Sequence, residues 1–184
     1  MHAQPHINDS MRTILIDWMI QVHSGLHSNS RNQTLHLAVY LLDRYLSVQT
    51  VCRNRLQLVG VTALLIASKY EDVCALKVKH CVHLCDNAYN TPDVCAMEGA
   101  ILRALDFRVV APTVAAFLDR YLLCMRANES SSVQNLAEYF ADCTLLDYKI
   151  LCYRPSLVAA SALAAACIGA GKHDLWVSDA YMAC

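Results

Sequence analysis

Apolar residues recur along this chain at intervals of three and four. Ile14, Trp18 and Val22 form one series, Leu35, Val39, Leu42 and Leu46 a second, and Leu58 with Leu65 and Leu136 with Phe140 continue it. Such spacing lays an apolar stripe along one side of an α-helix. No stretch alternates apolar and polar residues in the manner of a half-exposed strand. Only five Gly and four Pro punctuate 184 residues. The pattern predicts an all-α fold with helices near 9–24, 33–48, 55–70, 76–86, 92–105, 112–125, 132–146, 155–169 and 174–183. Asn8, Asp9 and Ser10 suit a cap before the first helix. Thr91-Pro92 reads as a capping hydroxyl followed by a first-turn proline. Pro112 and Pro155 also fit first turns, and Gly169 and Gly171 suit the end of an Ala-rich helix.

An internal repeat emerges at a displacement of 99 residues. Leu58-Val59-Gly60-Val61-Thr62-Ala63-Leu64 aligns with Leu157-Val158-Ala159-Ala160-Ser161-Ala162-Leu163. The same displacement pairs Leu37-Ala38 with Leu136-Ala137, Tyr40 with Tyr139, Asp43 with Asp142 and Leu46 with Leu145. Two helices sharing one displacement indicate a duplicated helical unit. The louder match, Leu-Asp-Arg-Tyr-Leu at 42–46 and 118–122, is out of register with the rest and reads as coincidence. The repeat predicts an N-terminal domain at 1–108 and a C-terminal one at 109–184. By the same register the second unit is short by about one helix and reads as truncated, leaving apolar surface open.

Composition narrows the function. The net charge of -1 and the near balance of 15 basic with 16 acidic residues argue against a phosphate-backbone binder, so no nucleic-acid partner is expected. Hydrophobic residues reach 56% and charged ones only 17%, a balance that suits a protein offering apolar surface to a partner. The first ten residues are polar and do not resemble a secretory signal. The uncharged stretch 155–171 is rich in small residues and falls short of a bilayer span, so it reads as a buried helix and no membrane association is expected. Ten scattered Cys without a C-x-x-C pair read as small buried hydrophobes in a reducing compartment.

Several residues stand out against this apolar background. Arg12 and Asp43 are odd residues for apolar helices, which tolerate an acid best when a base pairs with it; the alternative is a solvated pair that contributes little. Lys69 near a helix C-terminus complements the helix dipole, and Glu98 by itself reads as solvated. Met11, Ile14, Leu15 and Trp18 share one helix face, and periodicity alone assigns them to a core.

The motifs containing these residues resemble the cyclin box. Met11-Arg12-Thr13-Ile14-Leu15-Ile16-Asp17-Trp18 is similar to its opening helix. Leu35-His36-Leu37-Ala38-Val39 with Leu42-Asp43-Arg44-Tyr45-Leu46 is similar to the second, and Leu56-Gln57-Leu58-Val59-Gly60-Val61 through Ala67-Ser68-Lys69-Tyr70-Glu71-Asp72 to the third. Asp86-Asn87-Ala88-Tyr89, Met97-Glu98 and Ile101-Leu102-Arg103-Ala104-Leu105 follow in the family's order. The resemblance spans about residues 9–169 and looks nearest to A- and B-type mitotic cyclins, without separating the two.

The resemblance implies two tandem cyclin-box helical repeats. It also implies a non-catalytic regulator that binds and activates a cyclin-dependent kinase, needs no cofactor or metal, and works in nucleus and cytoplasm. Leu58, Lys69, Glu71 and Glu98 would then face the kinase. Met11, Ile14, Leu15, Trp18, Gln21 and Gln57 would form a groove for Arg-x-Leu segments of substrates or inhibitors, and Arg12 with Asp43 would bridge the first two helices. The chain departs from the family in carrying Ala75-Leu76 where many cyclins have Pro-Pro, and in a longer segment between helices 1 and 2.

Three rivals remain on sequence grounds. A transcription-factor-type module of paired cyclin repeats would need a basic face, which the charge balance opposes. A helical adaptor without a kinase partner would have no use for Lys69 and Glu98. A metal or redox site built on His80, Cys81, His83 and Cys85 is opposed by the apolar setting expected of that helix. A kinase's Gly-rich loop and His-Arg-Asp are absent, as is a nucleophile elbow, so the chain is not expected to be an enzyme.

Overall fold

The segment from Leu56 to Glu71 is apolar on every side, and the fold of the first half follows from covering it. In the computed structural model, which describes residues 4–26, 32–125 and 131–172, this segment is the helix α3. Before it come α1 (Asp9–Gly25) and α2 (Asn32–Val48), and after it α4 (Val78–Leu84) and α5 (Thr91–Ala104). A second series comprises α6 (Val114–Cys124), α7 (Ser131–Leu146) and α8 (Pro155–Gly169). Short 3-10 turns stand at Arg53–Arg55 and Tyr148–Cys152, and the described residues contain no strand. The helix predicted over 174–183 and the middle of the segment joining α1 to α2 lie outside the described residues.

The chain divides into two compact units, Met1–Ala111 and Pro112–Cys184. The register of the internal repeat reappears in the helix bounds. The starts of α7 and α8 lie 99 residues after those of α2 and α3, and the end of α6 lies 99 after the end of α1.

In the first unit α1, α2, α4 and α5 all pack against α3, and 12 of its 16 residues are buried. Of its two buried hydroxyls, that of Thr62 is satisfied within the helix, where Oγ1 donates to the Leu58 carbonyl at 2.7 Å, and that of Ser68 bonds in the turn that follows. Gly60 lets α1 come close. A Cβ there would stand 2.9 Å from Leu15 Cδ1, inside van der Waals contact. The segment before α1 is tied to the far end of α2. Buried Gln4 donates through Nε2 to the carbonyls of Leu46 (2.6 Å) and Gln49, and its Oε1 accepts from Val51 N–H at 3.0 Å. One amide side chain thus satisfies carbonyls that the end of α2 leaves open.

Caps fix the other boundaries. Asn8 Oδ1 accepts from Met11 N–H at 2.9 Å at the start of α1. The cap of α5 is Asn90, one residue before the Thr91 expected, because Asn90 and Asp93 complete a reciprocal capping box that a cap at Thr91 would forgo. Gly171, at φ 68°, closes α8 with bonds from Gly171 N–H to Ile168 O (3.0 Å) and Lys172 N–H to Cys167 O (2.8 Å), the pattern of a Schellman motif.

The second unit buries Leu118, Leu122, Val133, Ala137, Leu163 and Ala166 among α6, α7 and α8. The Ala-rich helix α8, expected to be buried, is covered on one side only. Leu157, Ser161, Ala165 and Ile168 face outward, because among the described residues only α6 and α7 pack extensively against it. No described helix is long and apolar enough to cross a membrane.

Arg12 and Asp43 join α1 to α2. Arg12 Nε lies 2.7 Å from Asp43 Oδ1 and Nη2 lies 2.7 Å from Oδ2, a fork-on-fork pair. Arg12 is 1% exposed. Removing the carboxylate leaves a buried cation without its counter-charge, so Asp43→Ala should lose about 3–5 kcal/mol of unfolding free energy in urea titrations. Replacing both residues by apolar ones of similar size (Arg12→Met, Asp43→Leu) should recover most of that loss, and a double variant as unstable as the single one would contradict the assignment.

Candidate protein-docking surfaces

Two surfaces on the first unit carry the residues singled out from sequence. The first lies where the C-terminal end of α3 meets the middle of α5. Lys69 Nζ stands 2.6 Å from Glu98 Oε1, with Lys69 46% and Glu98 18% exposed. Glu71, the last residue of α3, is half-buried nearby in sequence, and Tyr70 and Val73 expose apolar side chains beside it. These two were not anticipated from the sequence. An aromatic in the last turn of a buried helix and a valine just beyond it are the signal that was available.

Leu58 requires a correction. Expected on the partner-facing surface, it is 0% exposed. It sits in the first turn of α3, enclosed by the helices that wrap α3 and about 16 Å along the helix from Lys69, so it belongs to the core and not to this surface.

The turn leaving α3 explains how the chain manages without the Pro-Pro of many cyclins. Ser68 Oγ accepts from the Leu76 backbone N–H at 2.8 Å, a bond that a proline at that position has no hydrogen to make. Thr34 Oγ1 on α2 donates to Asp72 Oδ1 at 2.7 Å and holds the other side of the turn.

The second surface is a shelf on α1. Ile14 is 70% exposed, Met11 and Trp18 are half-buried, and Gln21 is exposed. Gln57, at the start of α3, is half-buried. Leu15, expected in the open groove, lies beneath the surface at 6% exposure, because it is the side chain that packs against Gly60. Gln21 Nε2 donates to Asp17 Oδ2 at 2.8 Å, one turn apart on the helix. Asp17 was not anticipated as part of this surface, although its place one residue before Trp18 was visible. An exposed aliphatic, a half-covered indole and an amide paired with a carboxylate suit a short extended peptide.

Two partly apolar surfaces edged by charged and amide groups, on a helical fold with no strand among the described residues, suit a protein-docking module. The family profile described as "Cyclin, N-terminal domain" matches residues 1–110, and that described as "Cyclin, C-terminal domain" matches 112–181. The chain belongs to the cyclin family. It is 42% identical over 178 residues to Cyclin-B1-5 of Oryza sativa subsp. japonica, covering 97% of this chain and 39% of that protein. It is 42% identical over 163 residues to Cyclin-A2 of Gallus gallus, covering 88% of this chain and 40% of that protein. G2/mitotic-specific cyclin S13-7 of Glycine max is 40% identical, covering 95% and 66%. The chain therefore spans less than two thirds of the length of these relatives. The structure of a viral cyclin from herpesvirus saimiri superposes with a TM-score of 0.84 at 23% identity, covering 92% of this chain and 74% of that one. That likeness shows the fold of two helical cyclin domains.

The Cys and His of α4 separate onto different faces. Cys81 and Cys85 are buried, whereas His80 and His83 are exposed. Burial pushes the Cys81 thiol up to about 12, with smaller contributions from Cys85 and Glu98, and pushes Cys85 up to about 11. Both stay protonated at neutral pH, the form in which a thiol is a poor metal ligand and a poor nucleophile. Cys81 holds its proton more tightly folded than unfolded. Its contribution to stability is thus complete below about pH 9, the ordinary thiol value, and is lost as pH rises from there toward 12. Unfolding free energies measured across that alkaline range should fall less steeply for Cys81→Ala than for the parent chain, and equal slopes would show that the thiol does not titrate this way.

Proposed function

We propose that this chain is a non-catalytic regulatory subunit that binds and activates a cyclin-dependent serine/threonine kinase and so drives progress through mitosis. The observation that carries the reading is the Lys69–Glu98 pair, half-open to solvent at the edge of α3 and α5, in a chain with both cyclin domains. Lys69 and Glu98 have hydrogen-bonding capacity to offer a partner's backbone, and Tyr70 and Val73 offer apolar area beside them. Glu71 completes this surface.

A protein kinase needs the ion pair between its β3 lysine and its αC glutamate in place before it transfers phosphate. A subunit that packs on αC only when that helix is turned inward raises the population of the active arrangement. The shelf of Met11, Ile14, Trp18, Gln21 and Gln57, floored by Leu15, docks Arg-x-Leu segments of substrates or inhibitors. Asp17 and Gln21 supply oxygen acceptors for the arginine. Nucleus and cytoplasm are the expected locations, since the partner kinase and its mitotic substrates are reached in both. Imaging a tagged chain through division tests this, and exclusive residence in another organelle would overturn it.

Mixing the chain with a monomeric cyclin-dependent kinase and following histone phosphorylation tests the central claim. The parent chain should activate the kinase, and Lys69→Ala with Glu98→Ala should remove most of that activation. The exposed pair contributes only about 0–1 kcal/mol to folding, so the double variant should keep its unfolding midpoint. Absence of binding across a kinase panel would favour a helical adaptor on the same fold.

A further inference from the structure

The α1 shelf ends differently on its two sides. Toward its C-terminal end stands Asp17, exposed, with Oδ2 engaged by Gln21. Beside Met11 at the other end lies an open, shallow depression lined by His6, Met11, Cys52, Arg53 and Asn54. Two of those five side chains are bases. Among the described residues no carboxylate stands within ion-pair distance of the Arg53 guanidinium.

The backbone beneath Arg53 is held from three sides. Gln4 Oε1 accepts from Val51 N–H at 3.0 Å, Arg55 N–H donates to the Cys52 carbonyl at 2.9 Å, and Tyr89 Oη donates to the Asn54 carbonyl at 2.7 Å. The 3-10 turn carrying Arg53 runs directly into α3 and Gln57, which belongs to the shelf. The depression is thus preformed, and it shares Met11 with the shelf. A guanidinium fork on a fixed turn matches the two oxygens of a carboxylate. A rigid site loses little conformational freedom when filled.

We propose that this depression is an acidic-residue subsite of the docking shelf, in which Arg53 and His6 receive the carboxylate of an Asp or Glu in the docked peptide. The proposal rests on the peptide-docking reading of the shelf and names the class of peptide it selects: one with a basic residue at the Asp17 end, an apolar anchor over Ile14 and Trp18, and an acid at the Met11 end. The spacing follows from the helix. Asp17 lies six residues from Met11, about 9 Å along α1. An extended peptide covers that distance in about three residues, and reaching past Met11 takes one or two more. The acid therefore stands about four or five positions from the base.

Fluorescence polarisation with the full chain tests this. The probes are labelled synthetic peptides containing Arg-x-Leu, with Glu placed four or five positions from the Arg on either side, and matched peptides with Gln instead. One of the Glu peptides should bind about threefold to tenfold tighter than its Gln counterpart. That preference should disappear with Arg53→Gln and shrink in high salt, while the affinity for the Gln peptide stays unchanged. Glu and Gln peptides that bind alike, with Trp18→Ala abolishing both, would overturn the subsite and leave the docking shelf standing. Failure of every peptide to bind would overturn the shelf and the subsite together. Arg53 is exposed, so Arg53→Gln should fold as the parent does, which circular dichroism checks.

Discussion

A helix that is apolar all round has no side to give to water, and α3 is such a helix. Covering it sets the positions of α1, α2, α4 and α5. It also explains why a glycine stands at position 60. α1 approaches closely enough for Leu15 to fill the space where a larger residue's Cβ would be. With Leu15 drawn under, its neighbours Ile14 and Trp18 on α1 are left toward the surface, and the docking shelf results. The same wrapping leaves only the last residues of α3 free, which is where Lys69, Tyr70 and Glu71 emerge beside Glu98. The two surfaces by which this cyclin would meet its partners are thus the outer faces and loose ends of one core solution.

Most of that architecture was legible in the residues. Apolar periodicity located eight helices to within about three residues, because helix formation here follows stripes of Leu, Val and Ile that have no competing strand pattern. The duplication was legible because Leu58–Leu64 and Leu157–Leu163 retain the same order of large and small residues, although α8 is covered on one side where α3 is enclosed. Where the reading slipped, side-chain direction was the cause. Leu58 and Leu15 lie in the motifs that mark the interfaces, yet both point inward. One-dimensional order does not tell which residues of an amphipathic stretch form the floor and which the surface. The cap of α5 moved to Asn90 for a similar reason, since the reciprocal bond with Asp93 involves a residue three positions on.

The cysteines of α4 illustrate the opposite case, in which spacing suggests chemistry that packing withholds. Cys81 and Cys85 lie one turn apart, as ligands on a helix would. Burial removes the water that would stabilise a thiolate, and the histidines that might complete a metal shell point the other way. Of the nine described cysteines only Cys81, Cys85 and Cys167 are buried, so most of the Cys expected as small core hydrophobes stand at the surface instead.

The Lys69–Glu98 contact has a consequence for discrimination among partners. At 2.6 Å the ammonium and carboxylate already share one bond while the chain is alone, and water takes up their remaining donors and acceptors. A surface that settled over them without matching donors and acceptors would strip both groups of water and return nothing, a penalty on the order of several kcal/mol for a buried charged pair left short of hydrogen bonds. Only a partner whose backbone presents complementary groups at the right separation can exchange bonds without loss. On a partner-binding surface such a pair would act as a lock against indiscriminate adhesion by the exposed Tyr70 and Val73 near it in sequence.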